Sequence, residues 1–182
     1  GNKEIKIMEL KNKTVIVTGA AMGYKEGGPS IGGAISMRLA KDGYRVVIVD
    51  IGRMGQKTAD VIKERGGESI FIKADAANTN EVKRILKVTK SKFGGLNCLV
   101  NCVARYGRGM AKNIAEISEK EWNKTLEVNL SGYFKMAKYS IPLMRKSGGG
   151  TIVNISSIET FTVLPNFSVY SVSKAAVDAL TR

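Results

Sequence analysis

Tyr170 and Lys174 stand four residues apart, so on a helix their side chains leave the same face. A free phenol titrates near 10, and an ammonium beside it favours the phenolate, each tenfold gain in ionisation being worth about 1.36 kcal/mol. A tyrosine so placed can give or take a proton near neutral pH. The same spacing also describes an ordinary pair on a helix surface, so alone it decides nothing. Composition sharpens it, because the 182 residues contain no histidine. A Ser-His-Asp triad, a Cys-His dyad, an HExxH zinc site and a histidine proton shuttle are all excluded. Acid–base work is left to Tyr, Lys, Asp, Glu or Cys, and no metal is expected.

A second candidate lies in the glycine-rich stretch from Gly19 to Gly33. A turn that binds phosphate needs glycines, because backbone N–H groups and a helix N-terminus must approach the anion closely. Gly19 and Gly32 can supply such a turn, although their separation is long. A P-loop reading of Gly23 to Ser30 fails, since the position that requires lysine holds Pro29, which has neither ammonium nor N–H. Asp50 follows the apolar run Arg45 to Val49, where a carboxylate accepts hydrogen bonds from the ribose hydroxyls of NAD and repels the extra phosphate of NADP. That favours NAD, with Arg53 and Lys25 as groups that could still receive a 2′-phosphate. Alone, a flexible loop and a capping aspartate would explain both features.

Hydropathy supplies the scaffold that must hold these residues. Lys13–Thr18, Arg45–Val49, Ser69–Lys73, Leu96–Val100 and Thr151–Ile155 are short apolar runs, each predicted as a buried strand. Between them the spacing predicts helices over Ala34–Asp42, closed by Gly43, and over Gln56–Arg65, stopped by Gly66-Gly67. Further helices are predicted over Thr79–Phe93, Ser118–Asn129 and Leu130–Lys146, and Ser168–Arg182 reads as the opening of another, which carries Tyr170 and Lys174. Continuous apolar strands joined by helices predict a parallel sheet covered on both faces, a doubly wound α/β fold. No internal repeat, low-complexity tract or linker divides the chain, so a single domain over residues 1–182 is expected.

Cys98 and Cys102 fall in one predicted strand, which puts their Cα atoms about 13 Å apart, beyond the ~7 Å limit for a disulfide. Reduced thiols are expected. Gly1 to Leu10 carries mixed charge unlike a signal peptide, and no stretch approaches the ~20 apolar residues of a membrane span. A cytoplasmic setting without membrane contact follows as the expectation. The net charge of +13, from 29 Lys and Arg against 16 Asp and Glu, invites a nucleic-acid reading. Its main cluster, Lys83, Arg84, Lys87, Lys90 and Lys92, lies in a predicted helix without the interleaved aromatics of a stacking platform. It reads first as a solvated face, and nucleic acid is not the expected partner.

Taken in order, several segments resemble the motifs of the short-chain dehydrogenase/reductase family. They are Thr18-Gly19 with Ile31-Gly32, Asp50, Asp75, Asn101-Cys102-Val103-Ala104, Val128-Asn129, Asn154-Ile155-Ser156-Ser157 and Tyr170-Ser171-Val172-Ser173-Lys174. Ser157 precedes Tyr170 by thirteen residues, the family's spacing, and the resemblance runs from about Lys13 to Arg182. It implies a Rossmann fold with strand order 3-2-1-4-5, and hydride transfer between NAD or NADP and a small alcohol or ketone. It implies Tyr170 as the acid–base, Lys174 as the group that lowers the Tyr170 pKa and holds the nicotinamide ribose, and Ser157 as a hydrogen bond to the substrate oxygen. Asn129 would hold a water linking Lys174 to solvent. Gly19 belongs to the cofactor turn, Ser30, Ile31 and Gly32 would face the pyrophosphate, Asp50 the adenosine ribose, and Asp75 and Ala76 the adenine. Asn101 would stabilise the sheet beside the cofactor. A homodimer or homotetramer, built on the two helices after strands four and five, is implied as well.

The chain also departs from the family pattern Thr-Gly-x-x-x-Gly-x-Gly. Gly19 and Gly32 are thirteen apart, so about seven residues are inserted, and Ser30 stands where the middle glycine would be. Met22 to Gly28 would bulge outward or fold over the adenosine side. Asn101-Cys102-Val103-Ala104 replaces the usual Asn-Asn-Ala-Gly, with Cys102 read as structural. Relatives continue past the position of Arg182 into two further strands and the segment that closes over substrate, so a shortened domain is expected. The pocket segments that remain are Arg105 to Met110 and Ile158 to Phe167; the two arginines of the first hint at an acidic or phosphorylated substrate but fit a solvated loop better. Three function classes stay open at this point: an NAD(P)-dependent oxidoreductase first, a catalytically silent dinucleotide-binding protein second, and a basic nucleic-acid-binding protein third.

Overall fold

The five apolar runs become five parallel strands: β1 (Thr14–Thr18), β2 (Arg45–Asp50), β3 (Ser69–Lys73), β4 (Cys98–Asn101) and β5 (Thr151–Asn154). The computed structural model describes residues 10–22, 28–106, 111–162 and 164–182. The strands are hydrogen-bonded in the order β3-β2-β1-β4-β5, as expected. Thr18 lies beside Val49 and Asn101 beside Asn154, so the carboxyl ends of the central strands finish along one edge. Strands of continuous Val and Ile fit this sheet because both faces are covered and alternate side chains enter opposite cores. Ile16, Val47, Val49 and Leu99 enter one core, and Val15, Val17, Val46 and Ile48 the other.

Six helices are described: α1 (Ile31–Lys41), α2 (Met54–Glu64), α3 (Thr79–Phe93), α4 (Glu119–Leu126), α5 (Gly132–Lys146) and α6 (Ser168–Thr181). Val82, Ile85 and Phe93 of α3 and Met136 and Met144 of α5 fill the first core; α1 and α2 cover the second, with Ala59 and Ile62 buried there. Asn78 caps α3 by accepting from the N–H groups of Asn80 and Glu81, and Ser118 and Glu121 form a reciprocal capping box at α4. Gly94 closes α3 at φ +82. Lys83, Arg84, Lys87, Lys90 and Lys92 all lie on the exposed side of α3.

Some expected boundaries shift. The helix after the glycine-rich stretch starts at Ile31 rather than Ala34, because Ser30 caps it and its glycines are used for packing rather than for a turn. The expected break between Asn129 and Leu130 is instead a wide helical turn, Glu127–Ser131, that carries α4 into α5. Within the insertion, Met22 and Pro29 form an antiparallel bridge, so the extra segment leaves and returns at one place. Its residues 23–27 lie outside the described residues, as do 107–110 and 163 of the expected pocket segments. Both cysteines are free, and burial pushes the Cys98 thiol up to about 11 and raises that of Cys102. Among the described residues, no helix is long and apolar enough to cross a membrane.

Candidate active site

A cleft of about 700 Å³ runs along the carboxyl ends of the strands, at the crevice where strand order reverses between β1 and β4. All the expected site residues except Asn101, Asn129 and Ser157 line it. Gly19 leaves β1 at φ +66, and a Cβ there would meet the Val103 backbone at 2.9 Å. Opposite it, a Cβ at Gly32 would lie 2.4 Å from the Gly19 carbonyl oxygen. The two glycines therefore pack backbone to backbone despite the insertion between them. Ser30 holds this junction: its hydroxyl reaches the carbonyls of Ala21 (2.6 Å) and Gly19 (3.3 Å) and accepts from Gly33 N (3.0 Å). Ala34 N bonds to Ser30 O, whereas the N–H groups of Ile31 and Gly32 meet no acceptor among the described residues. These two donors open the N-terminal turn of α1, where the helix dipole favours an anion.

Asp50 stands at the end of β2, its Oδ1 accepting from Gly52 N (2.8 Å) and its Oδ2 from Ala21 N (3.2 Å). Each oxygen keeps acceptor capacity on the cleft side. Asp75 follows β3, accepting from Ala77 N (2.8 Å) while its own N–H donates to Glu81 (2.6 Å). That turn presents Asp75 and Ala76 to the cleft wall.

At the other end, α6 brings Tyr170 and Lys174 to the lining from one helix face, both buried. Lys174 Nζ donates to the carbonyl of Ile155 (2.7 Å) and to the hydroxyl of Tyr133 (3.3 Å), and lies 5.9 Å from the centre of the Tyr170 ring. Burial lowers Lys174 to about 8, against the opposing pull of Cys102 and Asp178. Tyr170 is raised, chiefly by burial; the Ser157 hydroxyl pulls it down, while Tyr106, Glu159 and Cys102 push it further up. Lys174 is not among the groups that shift Tyr170 in this arrangement, its ammonium being hydrogen-bonded to Ile155 and Tyr133.

The three residues off the lining have defined places. Ser157 accepts from Glu159 N (3.2 Å) and starts the short turn Ile158–Thr160. Asn129 sits in the wide turn, accepting from Arg105 N (2.6 Å) and donating to Arg105 O (3.2 Å) and Ser173 Oγ (3.0 Å). Both amide hydrogens are engaged by protein, so its side chain clamps the loop after β4 to α6. Asn101, fully buried, donates to Asn154 Oδ1 (2.8 Å) and ties β4 to β5 away from the cleft wall.

Reading the sequence missed three neighbours of Tyr170 and Lys174. Tyr106, half exposed, lays its ring 4.6 Å from that of Tyr170 and stacks 5.2 Å from Phe167. Glu159 is buried, accepting from Leu164 N (3.3 Å) and Ser171 Oγ (3.2 Å). Tyr133 touches Lys174 from α5; its signal was its position, one helical turn after Asn129.

Comparison with known proteins agrees with this fold. Residues 27–182 match the family described as enoyl-(acyl carrier protein) reductase. An uncharacterized oxidoreductase of Thermotoga maritima is 40% identical over 178 residues, covering 96% of this chain and 65% of the relative. One of Staphylococcus aureus strain USA300 is 31% identical over 174 residues, covering 95% and 70%. The crystal structure of NAD+-bound xylitol dehydrogenase superposes with a TM-score of 0.85 at 26% identity, over 95% of this chain and 64% of that one. The chain therefore spans about two thirds of the length of these proteins.

Proposed function

The chain belongs to the short-chain dehydrogenase/reductase family, and on that premise we propose that it transfers a hydride between a nicotinamide cofactor and a small alcohol or ketone, with Tyr170 as the acid–base. One observation carries the reading: Tyr170 and Lys174 line the same cleft as the Gly19 and Gly32 junction and Asp50. The N–H groups of Ile31 and Gly32 would hold the pyrophosphate, Asp50 the adenosine ribose, and Asp75 and Ala76 the adenine. Asp50, with acceptor capacity facing the cleft, supports NAD over NADP, and the xylitol dehydrogenase to which this chain is similar binds NAD+. Arg53 on the same wall is the residue that would accept a 2′-phosphate. The bound cofactor supplies the hydride chemistry.

The chain supplies position and a proton. With its phenol held above the ordinary value, Tyr170 carries its proton at neutral pH, the form that gives it from Oη to a substrate oxygen gaining negative charge. Ser157 Oγ donates to the same oxygen, and an acceptor charge that grows in the transition state strengthens that bond. Lys174 keeps its charge below about pH 8 and would hold the ribose hydroxyls. Self-association through α5 and α6 belongs to the same proposal, supported by the exposed Phe134, Ile141 and Val172 on those helices; light scattering reporting a dimer or tetramer checks it.

The decisive test is Tyr170→Phe assayed with NADH and NADPH across a panel of ketones. Turnover should fall by at least about a thousandfold while the cofactor dissociation constant, read by calorimetry, stays within about threefold. Unchanged turnover would overturn the mechanism, and cofactor binding without turnover by the unaltered chain would favour a silent dinucleotide binder.

A further inference from the structure

We propose that Tyr133 is a positioning residue for Lys174: its buried hydroxyl accepts the ammonium on one side, gives its own proton to the Val103 carbonyl on the other, and so fixes where Lys174 stands in the cleft. The proposal rests on the reading of Lys174 as the partner of Tyr170. Tyr133 is 1% exposed, and so is Lys174. The Tyr133 oxygen lies 3.0 Å from Val103 O, 3.3 Å from Ile155 O and 3.3 Å from Lys174 Nζ, with the ammonium 5.1 Å from the centre of the ring. A hydroxyl has one proton to give, and the shorter contact sends it to Val103, which leaves its lone pairs for Lys174.

A buried ammonium needs acceptors for its three donors. Ile155 O takes one at 2.7 Å and Tyr133 the second. The third meets no acceptor among the described residues, on a side chain that lines the cleft, and so is left for a ligand hydroxyl. The loop after β4, through Val103, and the residue after β5, Ile155, converge on the one oxygen of Tyr133. The charged or titratable groups facing Lys174 are Cys102 from the loop after β4, Tyr133 from α5, and Tyr170 and Asp178 from its own helix. Removing the Tyr133 hydroxyl changes only one of them. The sign follows: losing an acceptor disfavours the ammonium, and Lys174 should release its proton at lower pH.

The test is Tyr133→Phe, with Lys174 followed by carbon-13 NMR of the ε-carbons in lysine-labelled protein and assigned from Lys174→Met. The titration midpoint of Lys174 should fall by about one pH unit. NADH affinity at pH 8 should weaken by about fivefold to tenfold, with cooperative thermal unfolding retained. Should Tyr133→Phe fail to fold, 3-fluorotyrosine at position 133 keeps size and hydroxyl but makes the oxygen a poorer acceptor, and a smaller fall in the same midpoint is expected. An unchanged midpoint in whichever variant folds would overturn the proposal. The NMR readout needs no turnover, so a chain that binds no nicotinamide cofactor would defeat the functional reading separately from the Tyr133 contact.

Discussion

A Cβ at residue 32 would lie 2.4 Å from the Gly19 carbonyl oxygen, a backbone atom held in place because Gly19 itself is packed on Val103 at φ +66. The loss is therefore forced onto α1, whose first N–H groups face the cleft. Gly32→Ala should cost about 1–3 kcal/mol of stability by overpacking and weaken NADH binding at least about tenfold. Gly28→Ala is the matched control, since nothing lies within 4 Å of a Cβ there. Urea unfolding and calorimetry on both variants check the pair, and equal losses would count against the cradle. Tyr106 invites a different residue-scale test, because its ring covers Tyr170 without entering a core. Tyr106→Ala should raise the KM for a ketone substrate by about tenfold and leave NADH affinity unchanged, since aromatic contact at this position bears on the substrate side. A KM unchanged in steady-state assays would remove Tyr106 from the substrate wall.

At the scale of elements, two helix caps separate stability from binding. Ser30 caps α1 at the cleft and Ser118 caps α4 on the surface, each accepting a backbone N–H of its first turn. Ser30→Ala and Ser118→Ala should each cost about 1 kcal/mol in chemical unfolding, but only the first should weaken NADH binding, by about threefold to tenfold. Equal binding by both variants would mean that the start of α1 does not meet the cofactor. The elements themselves were largely legible: short apolar runs marked every strand, and Gly43 and Gly66-Gly67 marked helix ends by local chemistry alone. The start of α1 was not, because helix propensity discounts Gly32 and Gly33, and only contact with Gly19 and Pro29 explains them. The Glu127–Ser131 turn was equally hidden, since what distinguishes it is the clamp from Asn129 to Arg105 and Ser173, all distant in sequence. The order of site motifs could be read along the chain, whereas the direction in which Lys174 points could not, because Tyr133 and Ile155 reach it from other elements.

Across the whole molecule, the +13 charge says less about folding than a few buried titratable groups do. The ion pairs Arg38–Asp42, Arg84–Glu81, Lys112–Glu121 and Lys124–Glu127 sit at the surface, where such pairs contribute little. Inside, Cys98, Cys102, Tyr133 and Tyr170 are all raised by burial. Above their ordinary values the folded chain keeps protons that the unfolded chain has released, so these groups make stability fall as pH rises. Lys174 runs the other way. It is lowered from 10.5 to about 8, so below about pH 8 both states carry the charge and the folded state bears the full cost of burying it. Between about pH 8 and 10.5 the unfolded chain holds the proton and the folded chain does not, and this group's contribution to stability improves with pH. Because the two trends overlap in the unaltered protein, the prediction concerns a difference. Lys174→Met should be the more stable chain at pH 7, and its advantage should shrink by roughly 2–3 kcal/mol on going to pH 10.5. Urea unfolding at a series of pH values measures the gap, and a gap that stays constant would mean that Lys174 is solvated rather than held between Ile155 and Tyr133. A cost of that size, carried in the folded state at neutral pH, would mark Lys174 as a residue that this fold retains for its site and not for its core.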